Sequence, residues 1–252
     1  MLCYNRKIIA LSMAFFQLFQ DQASFRRLFI DLGANLGQSV LAFLEWKSLE
    51  AKEYDIISFE ANIEFVQKWI DNVLPHQQCF RTVNLIPSVV GSSSSEQLVS
   101  FDGWKLAEIR GAEPHRQRLA PSFDFISWFK SIARSNQEII LKMDIEGAEY
   151  ELISKMVQED LLKHVNTLFM EIHGAKHGFD ISRTNHLIHL IYEAGATPYL
   201  WETTGKSTLY DPKVHMARIV SIGDDTGREV DFHGIHKIIL EPVPQNQSIL
   251  VF

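Results

Sequence analysis

Only two cysteines, Cys3 and Cys79, occur among the 252 residues of the chain. Two thiols are too few for a disulfide framework or for a zinc site built on thiolates. We therefore expect a fold held together by its hydrophobic core. So low a count is also compatible with a reducing compartment, and we expect the protein to be cytoplasmic.

Basic residues are also fewer than acidic ones. The 24 Lys and Arg residues are outnumbered by 31 Asp and Glu, so the formal net charge is −7. The basic residues are scattered, and the densest group is Arg110, His115, Arg116 and Arg118. Proteins that grip a nucleic-acid backbone normally carry a basic stripe. We expect no nucleic-acid partner, and a small molecule, a glycan or a lipid head group suits the charge better.

No apolar run reaches the roughly 20 residues that a membrane-spanning helix needs. The longest candidate, residues 8–19 (IIALSMAFFQLF), follows Arg6 and Lys7. That layout is similar to a signal peptide, although no clear cleavage site follows. The favoured interpretation is a first helix that packs its apolar face on the domain. A membrane anchor or targeting segment is the alternative, so membrane association through these residues stays open.

Strand-like and helix-like segments alternate along the rest of the chain. Short apolar strands are predicted at residues 28–32, 55–59, 82–90, 139–143, 168–172 and 198–201, the third of them interrupted at Pro87. Helical spacing of apolar residues predicts helices at 38–47, 63–74, 121–134, 150–157 and 184–194. This order is typical of an α/β protein with a parallel sheet covered by helices.

We predict a single domain over residues 1–252, because no linker or repeat interrupts the pattern. Residues 1–27 form the N-terminal segment, residues 28–203 the ligand-binding core and residues 204–252 the C-terminal part. The C-terminal part is expected to add edge or hairpin strands at 217–222 and 237–240. Residues 98–101 predict a small strand outside the main sheet, and residues 102–120 an irregular insert. Such long inserts in a compact domain are usually functional or disordered.

A glycine-rich turn follows the first strand. Its pattern is Asp31-x-Gly33-x-x-x-Gly37, with Ala34 and Asn35 where the dinucleotide fingerprint has its second glycine. No Gly-Lys-Ser/Thr follows, so the turn is not a P-loop either. Glycines allow close backbone approach at a helix N-terminus. A ligand with a carboxylate and an amine but no phosphate suits this turn best, and a tight turn without a ligand is the alternative.

Glu60 closes the second strand, DIISFE. A carboxylate there can accept hydrogen bonds from the two hydroxyls of a ribose, and a nicotinamide-dependent enzyme would use the same position. The alternative is a solvated residue near Asn62 at the start of a helix, where the helix dipole favours an acid.

Two acids follow the apolar strand at residues 139–143, within the stretch LKMDIEGAE. Residues two apart in an extended chain point to one side, so Asp144 and Glu146 are predicted to project together at the carboxyl edge of the sheet. Neighbouring carboxylates usually differ in pKa, which suits one of them to act as a base. The alternative is a helix-capping cluster that includes Glu149.

A histidine lies at the end of the next strand. Glu171 and His173 are two apart, and His173 could take a proton from a substrate hydroxyl. The alternative is a structural histidine bonded to backbone near Gly174. His177 lies four residues further on, but Gly174 and Gly178 disfavour a helical metal pair, so we expect no metal site.

These motifs together resemble one family. Residues 141–149 (LKMDIEGAE) resemble LKxDxEGxE, the signature of the FkbM-type methyltransferases. Three other stretches are similar to elements of that family: FIDLGANLG to its cofactor loop, PSFDFISWF to the helix before the signature, and FMEIH to the strand after it. The resemblance covers residues 29–173 with the motifs in order, and the C-terminal third departs from it.

The resemblance implies a Rossmann-like class I methyltransferase fold, with a mostly parallel seven-stranded sheet and helices on both faces. It implies S-adenosyl-L-methionine as cofactor and methyl transfer to a hydroxyl. The residues expected to bind the cofactor are Asp31, Gly33, Asn35 and Gly37 at the methionine part, Glu60 at the ribose, and Asp144 beside the sulfonium and amino groups.

Other roles follow from position alone. Glu146 or His173 is the candidate general base, and Trp104, Arg110 and Arg116 of the insert could close over the methyl acceptor. Two alternatives remain at this point: an NAD(P)-dependent Rossmann oxidoreductase, and a non-catalytic interaction module that keeps the methyltransferase fold.

Overall fold

Alternating strands and helices make up most of the described residues. The structure, a computed structural model, describes residues 26–92, 96–102, 105–108, 117–172, 181–200, 217–222, 228–232 and 236–242. The strands in these ranges are β1 (Arg27–Leu32), β2 (Tyr54–Phe59), β3 (Thr82–Ile86), β4 (Val89–Gly91), β5 (Glu96–Asp102), β6 (Lys105–Glu108), β7 (Gln117–Asp124), β8 (Glu138–Met143), β9 (Thr167–Met170), β10 (Pro198–Leu200), β11 (Ala217–Ile222), β12 (Arg228–Phe232) and β13 (His236–Pro242). The helices are α1 (Gln38–Lys47), α2 (Ile63–Val73), α3 (Phe125–Ile132), α4 (Glu149–Gln158) and α5 (Ile181–Glu193).

The main sheet has the order β3-β2-β1-β8-β9-β10-β11-β13-β12. The strands from β3 to β10 are parallel, whereas β11, β13 and β12 pair antiparallel at one edge. The predicted, mostly parallel α/β fold is therefore confirmed. The predicted count of seven strands is wrong, since nine are present in the described ranges. The difference arises because the C-terminal part forms three antiparallel strands, and β12 lies outside the predicted ones.

Helices cover both faces of this sheet because successive side chains of a strand point to opposite sides. Phe29 packs in a cluster with Phe43 of α1 and Trp69 of α2. Its neighbour Ile30 packs in a second cluster that contains residues of α3, α4 and α5. Phe29, Ile30, Phe43 and Trp69 are all buried. Each face of the sheet therefore contributes a hydrophobic layer to the core.

A second sheet has the order β4-β7-β5-β6, and β6 and the first residues of β7 lie within residues 102–120, which were predicted as irregular. That prediction is wrong for these residues. Residues 98–101 lie within β5, so the predicted strand outside the main sheet is confirmed. The predicted interruption at Pro87 is confirmed, but the two halves of residues 82–90 belong to different sheets: β3 ends before Pro87 in the main sheet, whereas β4 lies in the second. Proline has no N–H to donate to a ladder, which explains the break at this point.

The third helix begins later than predicted. Residues 121–124 belong to β7, where Pro121 pairs with Glu96, and α3 starts at Phe125. The Asp124 carboxylate caps this helix, accepting hydrogen bonds from the Ser127 amide at 3.0 Å and from its hydroxyl at 2.7 Å. The helix prediction from residue 121 is therefore wrong by four residues, because strand pairing extends to the cap.

In the described part of the chain, no helix is long and apolar enough to cross a membrane. Residues 8–19 lie outside the described residues, so both interpretations of that segment remain predictions. The proposed boundaries near residues 27 and 203 likewise remain predictions.

Candidate ligand-binding site

A cleft opens at the carboxyl ends of β1, β2 and β8. β1 has β2 on one side and β8 on the other, so the strand order switches direction here. Ligands of open α/β sheets bind in the crevice at such a switch point. The cleft is open to solvent and has an empty volume of about 600 Å³. This volume includes the solvent space at the mouth of the cleft.

The glycine turn forms one wall of the cleft. Gly33 has φ +80°, and a Cβ atom at this position would lie 1.8 Å from the carbonyl oxygen of Asp144. Only glycine therefore permits the turn after β1 to approach the end of β8. Asn35, also in the cleft wall, has φ 48°, a left-handed conformation that asparagine tolerates better than most residues.

The amides of this turn all have acceptors within the protein. Those of Gly33 and Ala34 donate to the Phe59 carbonyl at 3.1 and 2.9 Å, and that of Gly37 donates to the Ala34 carbonyl at 2.8 Å. The other two donate to side chains, Asn35 to Glu60 Oε2 at 2.7 Å and Leu36 to Gln38 Oε1 at 3.0 Å. The turn therefore offers none of these five amides to a phosphate.

Glu60 lines the cleft and holds the turn at the same time. Its side-chain oxygens each accept a backbone N–H at 2.7 Å, from Asn35 and from Asn62. Burial raises the pKa of the Glu60 carboxyl to about 7, although the Asn62 and Asn35 donors act in the opposite direction. Because Glu60 is only 7% exposed, the alternative interpretation as a solvated residue at a helix start is wrong.

Asp144 and Glu146 both line the cleft, as predicted. The predicted geometric reason is wrong, because β8 ends at Met143 and the acids do not lie in an extended strand. Glu146 has φ 54° and is only 6% exposed, so a tight turn directs both residues to the same cleft. A buried, non-glycine residue in the left-handed region is uncommon and is often found at functional sites.

Glu149 closes the turn after β8. Its Oε1 accepts from the Ile145 amide at 3.0 Å, and its Oε2 accepts from the Gly147 amide at 2.6 Å. These amides flank Glu146, and Glu149 is 0% exposed. The interpretation as a helix-capping cluster is wrong, because Glu149 lies in the first turn of α4 but accepts from amides before the helix, and no side chain caps α4. Asp144 and Glu146 line the cleft.

Lys142 lies behind both walls, and its role was not predicted. Its Nζ contacts the Gly33 carbonyl at 2.7 Å, Asp144 Oδ2 at 3.1 Å and Asp31 Oδ1 at 3.3 Å. Burial lowers the pKa of the Lys142 ammonium, but the charges of Asp144 and Asp31 outweigh burial and hold its pKa above the usual value. Asp31 and Lys142 are direct partners in the parallel register of β1 and β8, and this pairing is not visible in the sequence.

Two predicted cofactor residues lie outside the cleft lining. Asp31 is fully buried, and burial raises the pKa of its carboxyl while Lys142 acts in the opposite direction. Gly37 faces α2, where a Cβ atom would lie 2.4 Å from Val73 Cγ2 and 3.2 Å from Trp69 Cδ1. The structure thus brings Gly33, Asn35, Glu60, Asp144 and Glu146 to one cleft. Direct cofactor contacts of Asp31 and Gly37 remain predictions.

Several other candidates lie outside the described residues, namely Trp104, Arg110, Arg116, His173 and His177. Their roles remain predictions. Within the described ranges, no group of three or more His, Cys, Asp or Glu side chains is arranged to hold a metal ion.

A mostly parallel sheet with helices on both faces and an acidic cleft at its switch point defines the class of protein, a Rossmann-like α/β domain. Residues 31–197 match the Methyltransferase FkbM domain. This match covers more than half of the chain, and the chain therefore belongs to the FkbM methyltransferase family. The resemblance of its motifs to that family is confirmed.

A solved structure is also similar to this chain, the crystal structure of methyltransferase FkbM from Methylobacillus flagellatus KT at 2.20 Å resolution. The two are 15% identical with a TM-score of 0.41, and the similarity covers 67% of this chain and 38% of that chain. This chain thus spans less than half the length of that protein. No functionally curated protein matches the sequence significantly.

Proposed function

We propose that this protein is an S-adenosylmethionine-dependent methyltransferase that methylates a hydroxyl oxygen of a small molecule, a glycan or a lipid. The observation that carries the proposal is the cleft in which Glu60 and Asp144 meet beside a glycine turn. The cofactor, when bound, supplies an activated methyl group on a sulfonium. The chain has to bind the cofactor, orient the acceptor, exclude water and take up a proton.

The charge of the cleft fits a cationic ligand. Glu60, Asp144 and Glu146 all line it, and no lysine or arginine does so in the described part of the chain. The nearby ammonium of Lys142 is buried and contacts Asp31 and Asp144. A sulfonium and an amino group would be attracted to these carboxylates, and Asp144 is the expected partner. The same charges favour a neutral or cationic acceptor over an anionic one.

The remaining cleft residues fit an adenosine. Each Glu60 oxygen accepts one backbone N–H and keeps further acceptor capacity, which the ribose hydroxyls can use. Apolar side chains line the cleft beyond Glu60, and Phe59, Phe65, Val89 and Val90 provide a surface suited to the adenine ring. An apolar lining with few polar groups is the usual composition of a cofactor site.

The arrangement of the turn disfavours the NAD(P) alternative. A dinucleotide site presents backbone amides to the pyrophosphate. Here the five amides from Gly33 to Gly37 already have acceptors in the protein, and Glu60 occupies one of them. Binding a pyrophosphate would break these bonds and place its charge beside Asp144 and Glu146.

Glu146 is the proposed general base, since it lies in the cleft beside Asp144 and is held by a constrained turn. His173 is the second candidate. We expect Glu146→Gln and His173→Ala to preserve cofactor binding and to slow methyl transfer, since each removes a proton acceptor rather than a cofactor contact. Asp124→Asn, a change at the exposed cap of α3, is a control that should alter neither property.

The reaction is tested with S-adenosylmethionine that carries a labelled methyl group, added with the protein to fractionated cytoplasmic extract. We expect label in a product that resists alkali, as an ether does. Alkali-labile label would indicate a carboxyl acceptor, and label on nitrogen would likewise contradict the proposed O-methylation. Failure to bind the cofactor at micromolar concentration would support the non-catalytic alternative.

A further inference from the structure

Lys142 joins the two walls of the cleft without lining it. The side chain is 1% exposed, and its amino group contacts the Gly33 carbonyl, the Asp144 carboxylate and the Asp31 carboxylate. Gly33 and Asp144 line the cleft, whereas Asp31 does not. One buried cation therefore connects the turn after β1 with the turn after β8.

If Lys142 only compensated the charge of Asp31, its ammonium would not need to contact Gly33 and Asp144 as well. A buried ammonium is costly unless it is paired, and its three N–H groups each need an acceptor. The shortest of the three contacts, 2.7 Å, is to the uncharged Gly33 carbonyl, and the longest, 3.3 Å, is to Asp31. Two of the three contacts thus go to groups that line the cleft.

We propose that Lys142 is a positioning residue, which holds the Gly33 carbonyl and the Asp144 carboxylate in the arrangement that binds the cofactor. For the identity of the ligand, this inference rests on the proposed function. With both carboxylates ionised, the cluster of Asp31, Lys142 and Asp144 carries one net negative charge. Asp144 lines the cleft, so a ligand cation there would offset this charge.

A purely structural role is the competing explanation, in which Lys142 only compensates the buried charge of Asp31. The two explanations differ once Asp31 is made neutral. With Asn at position 31, a structural lysine has no charge left to compensate. A positioning lysine still has the Gly33 carbonyl and Asp144 to hold.

The experiment compares the wild type, Asp31→Asn, Lys142→Met and the double variant, by unfolding and by calorimetry with S-adenosylhomocysteine. We expect Lys142→Met alone to be markedly less stable, because it leaves the buried Asp31 carboxylate without a cation, and the double variant to regain stability because neither charge of the Asp31–Lys142 pair remains. The decisive comparison is between Asp31→Asn and the double variant. We expect the double variant to bind at least tenfold more weakly, and equal affinity within twofold would overturn the proposal.

Amide hydrogen exchange in the ligand-free protein provides a readout that does not depend on the cofactor. We expect the amides of residues 33–37 to exchange faster in the double variant than in Asp31→Asn, because the Gly33 carbonyl is no longer held. Equal exchange would also contradict the positioning role. Lys130→Met is the matched control, since Lys130 is paired with Glu159 on the surface and should change neither readout. If the wild type binds no S-adenosylhomocysteine, the proposed function fails while the exchange experiment still tests Lys142.

Discussion

The turn after β1 and the turn after β8 are stabilised in the same way but differ in their access to the cleft. In each, one glutamate accepts two backbone amides, Glu60 from Asn35 and Asn62, and Glu149 from Ile145 and Gly147. Glu60 lines the cleft, whereas Glu149 is fully buried and does not. We therefore expect Glu60 to contribute to both ligand binding and the stability of the protein. We expect Glu149 to contribute to stability alone.

Their surroundings reinforce this difference. Glu149 lies in the first turn of α4, where the helix dipole stabilises a carboxylate. Glu60 precedes α2, which Asn62 caps through the Glu64 amide at 3.0 Å. The helix after Glu60 thus has its own cap. Each side-chain oxygen of Glu60 accepts one backbone N–H and keeps a lone pair that can accept from a ligand hydroxyl.

The largest expected effect is on the close approach of the two turns. Gly33→Ala should reduce the free energy of unfolding by about 3–5 kcal/mol, because the Cβ atom adds a clash with the Asp144 carbonyl to the cost of a left-handed alanine. Gly195→Ala is the matched control, with the same φ of +80° and no atom within 4 Å of the added Cβ. It should cost about 1–2 kcal/mol in chemical denaturation, as expected for conformation alone. Equal losses would mean that the approach at Gly33 is not tight.

Asp144→Ala should have the next largest effect, on ligand affinity. We expect it to raise the Kd for S-adenosylhomocysteine about a hundredfold or more, equivalent to about 3 kcal/mol, because the carboxylate facing the ligand amine is lost. Calorimetry checks this value. Unchanged affinity would remove Asp144 from the site and with it the charge argument for a cationic ligand.

Exchanging each glutamate for glutamine tests the comparison itself. Glutamine keeps one acceptor oxygen but places an NH₂ group against the second backbone N–H, which should cost about 1–3 kcal/mol. At Glu149 we expect this loss in the free energy of unfolding, with the affinity of the folded protein for S-adenosylhomocysteine within about threefold of wild type. At Glu60 we expect affinity to fall by about 1–3 kcal/mol as well. If both variants changed affinity equally, the division of roles between the turns would be wrong.

The smallest expected effect is that of pH, through Glu60. Ribose hydroxyls donate to the ionised carboxylate, so binding favours deprotonation, and the pKa of about 7 in the free protein sets the window. The affinity for S-adenosylhomocysteine should be highest above pH 7, where Glu60 is ionised, and should decrease as the pH falls through 7. We expect a Kd about tenfold higher at pH 6 than at pH 8. Glu60→Gln should abolish this dependence, and a pH profile that survives in the variant would assign it to another group.

Local sequence signals predicted the scaffold well. The helix at 38–47 is confirmed with the same bounds, with Gly37 before it and Lys47 in its last turn. The glycine turn, Glu60 and the two acids of LKMDIEGAE were also found from the sequence, since each follows an apolar strand at the sheet edge.

Long-range geometry could not be predicted in this way. The contact between Lys142 and Gly33 joins residues 109 positions apart and depends on the register of β1 against β8. The left-handed conformation of Glu146 depends on the amides that Glu149 holds, and glutamate has no intrinsic preference for it. Residues 121–124 were predicted as helix but lie in β7, where Pro121 pairs with β5 and residues 122–124 pair with β4, because tertiary pairing outweighed local propensity.

Calorimetry of the wild-type protein at pH 8, with S-adenosylhomocysteine and with NADH, is the most direct test of the proposed cofactor site. We expect S-adenosylhomocysteine to bind with a Kd in the micromolar range, about −8 kcal/mol, and NADH not to bind. Binding of NADH alone would contradict the proposal, since the pyrophosphate would then have displaced the acceptors that now hold the amides of Gly33 to Gly37.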